Sequence, residues 1–302
     1  MELLELVPNV SEGRSKVVVD TLAEAFTLGE GVWLLDRHSD ASHNRSVLTA
    51  VARPDSVLET AARLIERAIA RIDLRRHRGV HPRIGAVDLL PLVPLEGFSR
   101  ERAKAIATAV GREIAESFGL PVFLYADSAS SPENRELPRL RRGGFEALEA
   151  RMEASELVPD FGPNRPHPTA GAVIVGVRAL LIAYNVELRT PDRAVAQAIA
   201  RRVRASSGGL PHLKALGFEL SDPPRAQVSM NLTDFRVTSL QAAFDAVERE
   251  AARLGVEVAR SEIVGLIPEQ AAFEGMVERL SLDAPPGILE ERMRKAGLTA
   301  DR

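Results

Sequence analysis

The run LLIAYNVEL (Leu180–Leu188), PDRAVAQAIARRVRA (Pro191–Ala205), ALGFEL (Ala215–Leu220), QVSMNL (Gln227–Leu232), SLQAAFDAVEREAARL (Ser239–Leu254), VEVARSEIV (Val256–Val264) decides the fold. Val228, Met230 and Leu232 alternate with polar residues, the period-two signature of a strand with one buried face. The six segments read strand, helix, strand, strand, helix, strand, a split βαβ unit. Working outward, the first half repeats the order. Strands are predicted at Leu3–Pro8, Val32–Asp36 and Arg45–Ala52, and helices at Ser15–Leu28 and Ser56–Ile72. In the second helix Leu58, Ala61, Ala62, Ile65, Ala68 and Ile69 share one face. A further helix over Ser99–Phe118 opens on a Ser cap and stops at Gly119, before Pro121. The apolar run PVFLYA (Pro121–Ala126) supplies the fourth strand, so the segment between these last two helices reads as an insertion. The chain is therefore expected to be α+β, two tandem ferredoxin-like (βαββαβ) subdomains over residues 1–176 and 177–302, the first with an insertion. The boundary is placed near Gly176–Arg178, after the proline-rich Val158–Pro168. The tail after Pro268 reads as partly helical and outside both repeats.

Composition narrows the function classes. With 302 residues, 45% hydrophobic and 27% charged, the chain suits two ordinary domains. No apolar run reaches 18 residues, and the amino terminus is acidic and lacks a signal peptide, so a cytoplasmic protein without membrane contact is expected. Cysteine is absent, which removes disulfides, thiolate metal sites and cysteine nucleophiles. A net charge of −3 and only 4% aromatic residues argue against a nucleic-acid partner.

Chemistry-bearing residues gather in four polar clusters. Five of the six histidines fall in segments crowded with Gly, Pro, Asn and Arg, and such loops on a rigid scaffold are where function concentrates. VPNVSEG (Val7–Gly13) opens the first helix and offers amides to an anion, as well as a cap. Asp36–Arg45 reads as a polar connector suited to a heterocycle or to carboxylates. HRGVHPRIGAVD (His77–Asp88) carries two histidines four apart. Gly79 and Pro82 oppose the helix a metal pair would need, so no metal is expected and a proton-transferring histidine is favoured. Asp160–Ala172 holds three prolines and two glycines, a stiff loop at the junction of the halves, where stiffness lowers the entropy lost on clasping a ligand.

Seven motifs in register resemble the formiminotransferase domain. They are VPNVSEG (Val7–Gly13), HNRSVLT (His43–Thr49), HPRIGAVD (His81–Asp88), DFGPNRPHPTAGA (Asp160–Ala172), LIAYNVEL (Leu181–Leu188), QVSMNLTDF (Gln227–Phe235) and EIVGLIP (Glu262–Pro268). The resemblance implies transfer of the formimino group of N-formimino-L-glutamate to N5 of tetrahydrofolate, releasing L-glutamate, in histidine degradation. It also implies folate at the junction of two ferredoxin-like subdomains, a homodimer, tetrahydrofolate as co-substrate and no metal. The chain reads as too short to include a cyclodeaminase, which is expected as a separate partner. By position the resemblance makes His81 the catalytic acid/base. It assigns folate binding to Gly162, Pro163, Asn164, Arg165, Pro166, His167, Pro168, Thr169, Ala170 and Gly171. Asn9, His38, Asn44, Arg45 and Arg83 are the substrate-side candidates, with Asp36, Asp40 or Asp88 to orient the imidazole. Formyl transfer from N-formyl-L-glutamate, and folate binding without turnover, stay open as alternatives.

Overall fold

The computed structural model describes residues 2–221 and 223–298. The chain divides into two compact units after Arg178. In the first, β1 (Leu4–Leu6) and β2 (Asn9–Val10) are one strand broken at Pro8, whose ring nitrogen carries no hydrogen for the ladder. Then come α1 (Lys16–Thr27), β3 (Val32–Asp40), β4 (Arg45–Ala52), α2 (Val57–Arg71) and β5 (Val87–Pro94). The sheet runs β3-β4-β1/β2-β5, antiparallel at every step. Beyond α3 (Arg100–Phe118), β6 (Val122–Leu124), α4 (Leu137–Leu140) and α5 (Gly144–Glu153), the strand β7 (Val173–Val177) inserts parallel between β5 and β6.

Two details depart from the sequence reading. The fourth strand of the first βαββαβ is Val87–Pro94; Val122–Leu124 lies at the sheet's far edge, in an extension. The segment VDLLPLVP escaped notice because it is covered on both faces and so shows no alternation. Likewise β3 continues to Asp40 and pairs it with Arg45, so most of the supposed connector is strand. Its polar side chains hid a backbone ladder that hydropathy does not report.

Side chains of the first sheet sort cleanly by face. Leu4, Leu6, Leu48, Leu90, Leu92, Val173 and Val175 pack under α1, α2 and α3 with Leu22, Phe26, Leu64 and Ile114. Leu89, Phe123 and Ile174 point the other way, against Leu140 of α4 and Leu148 and Met152 of α5. Those two short helices cover only the β5–β7–β6 end, so the rest of that second face is where polar groups can collect.

The second unit comprises β8 (Ile182–Leu188), α6 (Arg193–Val203), β9 (Leu213–Ser221), β10 (Pro224–Leu232), α7 (Leu240–Arg253) and β11 (Val258–Val264). Its antiparallel sheet has the order β11-β8-β10-β9. The caps are local: Asp192 accepts from Ala194 N and Ser239 from Ala242 N. Contrary to the sequence reading, the tail joins this unit. After β12 (Leu266–Ile267) come α8 (Met276–Arg279), β13 (Gly287–Ile288) and α9 (Leu289–Lys295). Met276, Leu280 and Leu282 enter its core, and buried Tyr184 donates to Ser261 Oγ at 3.1 Å.

Gly217 marks where α6 crosses β9, since a Cβ there would lie 2.3 Å from Gln197 N. Gly217→Val should cost about 1–3 kcal/mol by overpacking. Urea unfolding is expected to show a lower midpoint with an unchanged slope.

Candidate active site

The register between β2 and β5 pairs Asn9 with Leu89 but Val10 with Val87, leaving Asp88 as an extra residue. This bulge puts Asp88 and Leu89 on the same side, where strict alternation would have turned Asp88 into the apolar core. Asp88 is 0% exposed. Its Oδ1 accepts from Ile84 N at 2.8 Å, and its Oδ2 meets Arg45 Nη1 at 3.1 Å and Arg141 Nη2 at 2.5 Å. Burial alone would raise this carboxyl, but the Arg141 and Arg45 guanidiniums outweigh it and hold it below its ordinary value. Arg45 is brought down to about 10, first by burial and then by Arg141, with Asp88 opposing. It therefore stays charged near neutrality.

The same Arg45 Nη1 approaches His81 Nδ1 at 3.0 Å, and the Pro82 carbonyl oxygen is 2.7 Å from that nitrogen. A guanidinium only donates and a carbonyl only accepts, so Nδ1 serves Pro82 when protonated and Arg45 when not. Both tautomers are thus accommodated without moving the ring. Burial, followed by the charges of Arg45 and Arg141, pushes His81 well below the usual imidazole value. It is a neutral base at physiological pH. Asn9 Oδ1 accepts from Arg45 Nε at 3.1 Å and from Nη2, while its own amide donates to Val7 O at 2.7 Å. Asn9 thereby orients Arg45.

A polar frame holds this cluster. His77 Nε2 donates to Asn44 O at 2.8 Å while its Nδ1 accepts from Arg83 Nε at 3.0 Å. Arg83 Nη1 and Nη2 clasp the two oxygens of Glu146 on α5 at 2.7 and 2.8 Å, and that fork brings the Glu146 carboxyl down to about 2. Asn44, in the left-handed region with φ 47°, accepts from Gly13 N and donates to Arg78 O, both at 3.0 Å. Nearby, the buried His43 pairs Nδ1 with Asp40 Oδ2 at 2.9 Å, its ring 6.0 Å from that of His81.

The proline-rich loop is fastened within the first unit. Asp160 N donates to Val122 O, and Val122 N to Phe161 O. His167 and Gly171 exchange both backbone hydrogen bonds, Leu74 N donates to Thr169 O, and Ala86 N to Ala170 O. His167 Nδ1 accepts from Ala170 N at 3.0 Å, which puts the proton of the neutral ring on Nε2. Pro163, Arg165, Pro166, His167 and Pro168 line a groove of about 910 Å³ with Phe118, Phe145, Arg75 and Arg78. Glu146 belongs both to this wall and to the frame around His81.

Of the residues singled out from sequence, Asn9, Arg45 and His81 converge. Asn44 is a brace and Arg83 has its fork filled by Glu146. Half-buried His38 stands on β3 opposite Val47. Asp40 faces His43, and Asp88 reaches His81 through Arg45. Arg141 was missed: it follows α4 in the basic run RLRRGG, where only its burial, at 9% exposure, separates it from exposed Arg142.

An uncharged imidazole set among guanidiniums, in a frame that shares Glu146 with a groove, is the equipment of an acid–base enzyme. Residues 3–178 match the formiminotransferase domain, N-terminal subdomain, and residues 183–277 match the formiminotransferase domain. The chain is 41% identical to a glutamate formimidoyltransferase of Streptococcus pyogenes serotype M1, over 90% of this chain and 91% of that one. Against a glutamate formimidoyltransferase of Thermoplasma acidophilum the identity is 41%, over 98% of this chain and 99% of that one. A mouse formimidoyltransferase-cyclodeaminase is 38% identical over 90% of this chain and 51% of its own length. The chain belongs to the formiminotransferase family.

Asp88→Asn should destabilise the protein by about 3–5 kcal/mol at pH 7, because two buried guanidiniums lose their counter-charge. Adding Arg141→Met should restore part of that loss. Because the folded carboxyl titrates below its unfolded value of about 3.9, the stabilisation is present above that pH and disappears as pH falls through the folded value. Chemical denaturation of wild type and variants across pH should show their difference narrowing only under strong acid.

Proposed function

We propose that the protein is a glutamate formimidoyltransferase, moving the formimino group of N-formimino-L-glutamate to N5 of tetrahydrofolate and releasing L-glutamate. The observation that carries this reading is 41% identity across 98% of the chain to a relative of that name. The neutral, guanidinium-flanked His81 supports it from the chemical side. We read each unit as built on a ferredoxin-like βαββαβ repeat, with the sequence boundary between the two formiminotransferase subdomains just after Arg178.

The donor carbon is an amidine, already electrophilic when protonated. Attack by N5 forms a carbon–nitrogen bond and a tetrahedral intermediate. N5 then loses a proton, and the glutamate nitrogen gains one before its bond to carbon breaks. With Nδ1–H donating to Pro82 O, the Nε2 lone pair of His81 takes the first proton and returns it to the leaving nitrogen. The low affinity of His81 for a proton favours that return, since burial disfavours the imidazolium and Arg45 and Arg141 repel it. The loop Gly162–Gly171 is the folate-binding element in this reading. Its proline rings, with Phe118 and Phe145, offer apolar surface to a flat heterocycle, and Arg165, Arg75 and Arg78 supply charge for the folate's carboxylates. Holding both substrates in line contributes up to about 7–11 kcal/mol in ideal geometry.

A cytoplasmic homodimer, working beside a separate cyclodeaminase, completes the reading. The mouse relative's name includes a cyclodeaminase, and the present chain corresponds to about half of that protein.

His81→Ala is expected to keep the far-ultraviolet circular dichroism and folate affinity of the wild type while kcat falls 10²–10⁴-fold. Methenyl-folate absorbance in the presence of added cyclodeaminase reads the rate. The acid limb of kcat/KM in the wild type should fall well below pH 6.5, because the folded imidazole stays deprotonated there. Supplying N-formyl-L-glutamate in place of the formimino donor should give no comparable turnover.

A further inference from the structure

Three arginines with buried side chains surround the imidazole site, and they differ in what they hold. Arg45 directs Nε and Nη2 to Asn9 and Nη1 to Asp88 and His81. Arg83 gives its fork to Glu146 and its Nε to His77. Arg141, nine-tenths buried, meets Asp88 through Nη2 at 2.5 Å, and its buried Nε has no acceptor among the described residues. A guanidinium has five N–H donors, so most of its recognition capacity is unused. The charge count points the same way. Asp88 is one carboxylate facing two guanidiniums, and His81 is neutral, so this cluster carries one positive charge more than it balances.

The position of Arg141 is also built. Arg151 Nη1 donates to the carbonyls of Leu140 and Arg142 at 3.1 and 2.8 Å, and Nη2 to that of Arg139 at 2.9 Å. One buried guanidinium thus clamps the chain on both sides of Arg141. Such a clamp fixes the backbone that presents a side chain whose own donors are largely unfilled.

We infer that Arg141 is a carboxylate-binding residue, seating the substrate carboxylate next to the reacting nitrogen. In an amino acid acylated or amidinated on its α-nitrogen, that is the α-carboxylate. The inference rests on the proposed formimidoyltransferase reading for the donor's identity, but the carboxylate seat itself rests on the excess buried charge and the unpartnered Nε. A planar carboxylate arriving there neutralises the excess charge and engages the guanidinium in charge-assisted hydrogen bonds. Arg45 bridges His81 and Asp88, and Arg141 meets the same Asp88, so a carboxylate seated there lies in the same cluster as the imidazole.

A protein–ligand double-replacement cycle tests this directly. Binding of L-glutamate and of its α-amide, isoglutamine, to wild type and to Arg141→Met is measured by calorimetry with tetrahydrofolate present. In the wild type the amide should bind at least 10-fold more weakly than L-glutamate, and in Arg141→Met the two should bind alike. The steady-state KM for N-formimino-L-glutamate should rise at least 10-fold in the variant with the KM for tetrahydrofolate within 2-fold of wild type. Arg141→Lys should recover part of the loss, retaining charge without the fork. Equal amide discrimination in wild type and variant overturns the inference, as does a parallel rise of both KM values, or no glutamate binding to the wild type. Coupling without any formimino turnover would sustain the carboxylate seat while removing the proposed activity, so the two failures are distinct.

Discussion

Asp88 is the point on which the first unit's chemistry turns. A carboxylate sealed from water is costly unless it is paired, and this one is paired twice, by arginines from a sheet strand and from the chain after a helix. Because both guanidiniums must reach one carboxylate, β4 and the α4–α5 connection are brought to a common position. The His81 ring comes with them, since Arg45 is shared. The acid–base properties of His81 follow from the same arrangement. Its proton affinity is lowered by burial and by the cations that Asp88 assembles.

A second constraint is the bulge that directs Asp88 outward from the apolar core. One extra residue in β5 decides whether a carboxylate faces α1 to α3 or faces Arg45. The frame of His77, Asn44, Arg83 and Glu146 then keeps the HPR segment from drifting. These hydrogen bonds join pieces of chain up to 63 residues apart, so no local propensity would have assembled them.

Much of the fold was legible because helices and half-buried strands leave periodic traces. Ala61, Ile65 and Ala68 of α2 and the alternation of Val228, Met230 and Leu232 are examples, although Leu58, placed on the same α2 face, is exposed and Val57 and Leu64 are buried instead. The fourth strand of the first unit was not, because burial on both faces erases alternation. The extension of β3 into Arg37–Asp40 was hidden for the opposite reason: its polar side chains resemble a loop. Within the candidate site, His81, Arg45 and Asn9 stood out through motif and residue type. Arg83 stood out equally and is committed to Glu146, since sequence cannot say which partner fills a guanidinium. Arg141 stands in a basic run with nothing in the sequence to set it apart, and only three-dimensional burial distinguishes it.

The fastening of the loop around Pro163–Pro168 has its own consequence. One end is laced to Val122 of β6 and the other to Leu74 and Ala86, and the His167–Gly171 pair closes its final turn. Such a wall acts as a fixed shelf and not as a hinged cover. If the loop takes the folate as proposed, a flat aromatic guest meeting a preset shelf need not wait for a conformational opening, so its association should follow a single exponential phase whose rate grows linearly with guest concentration.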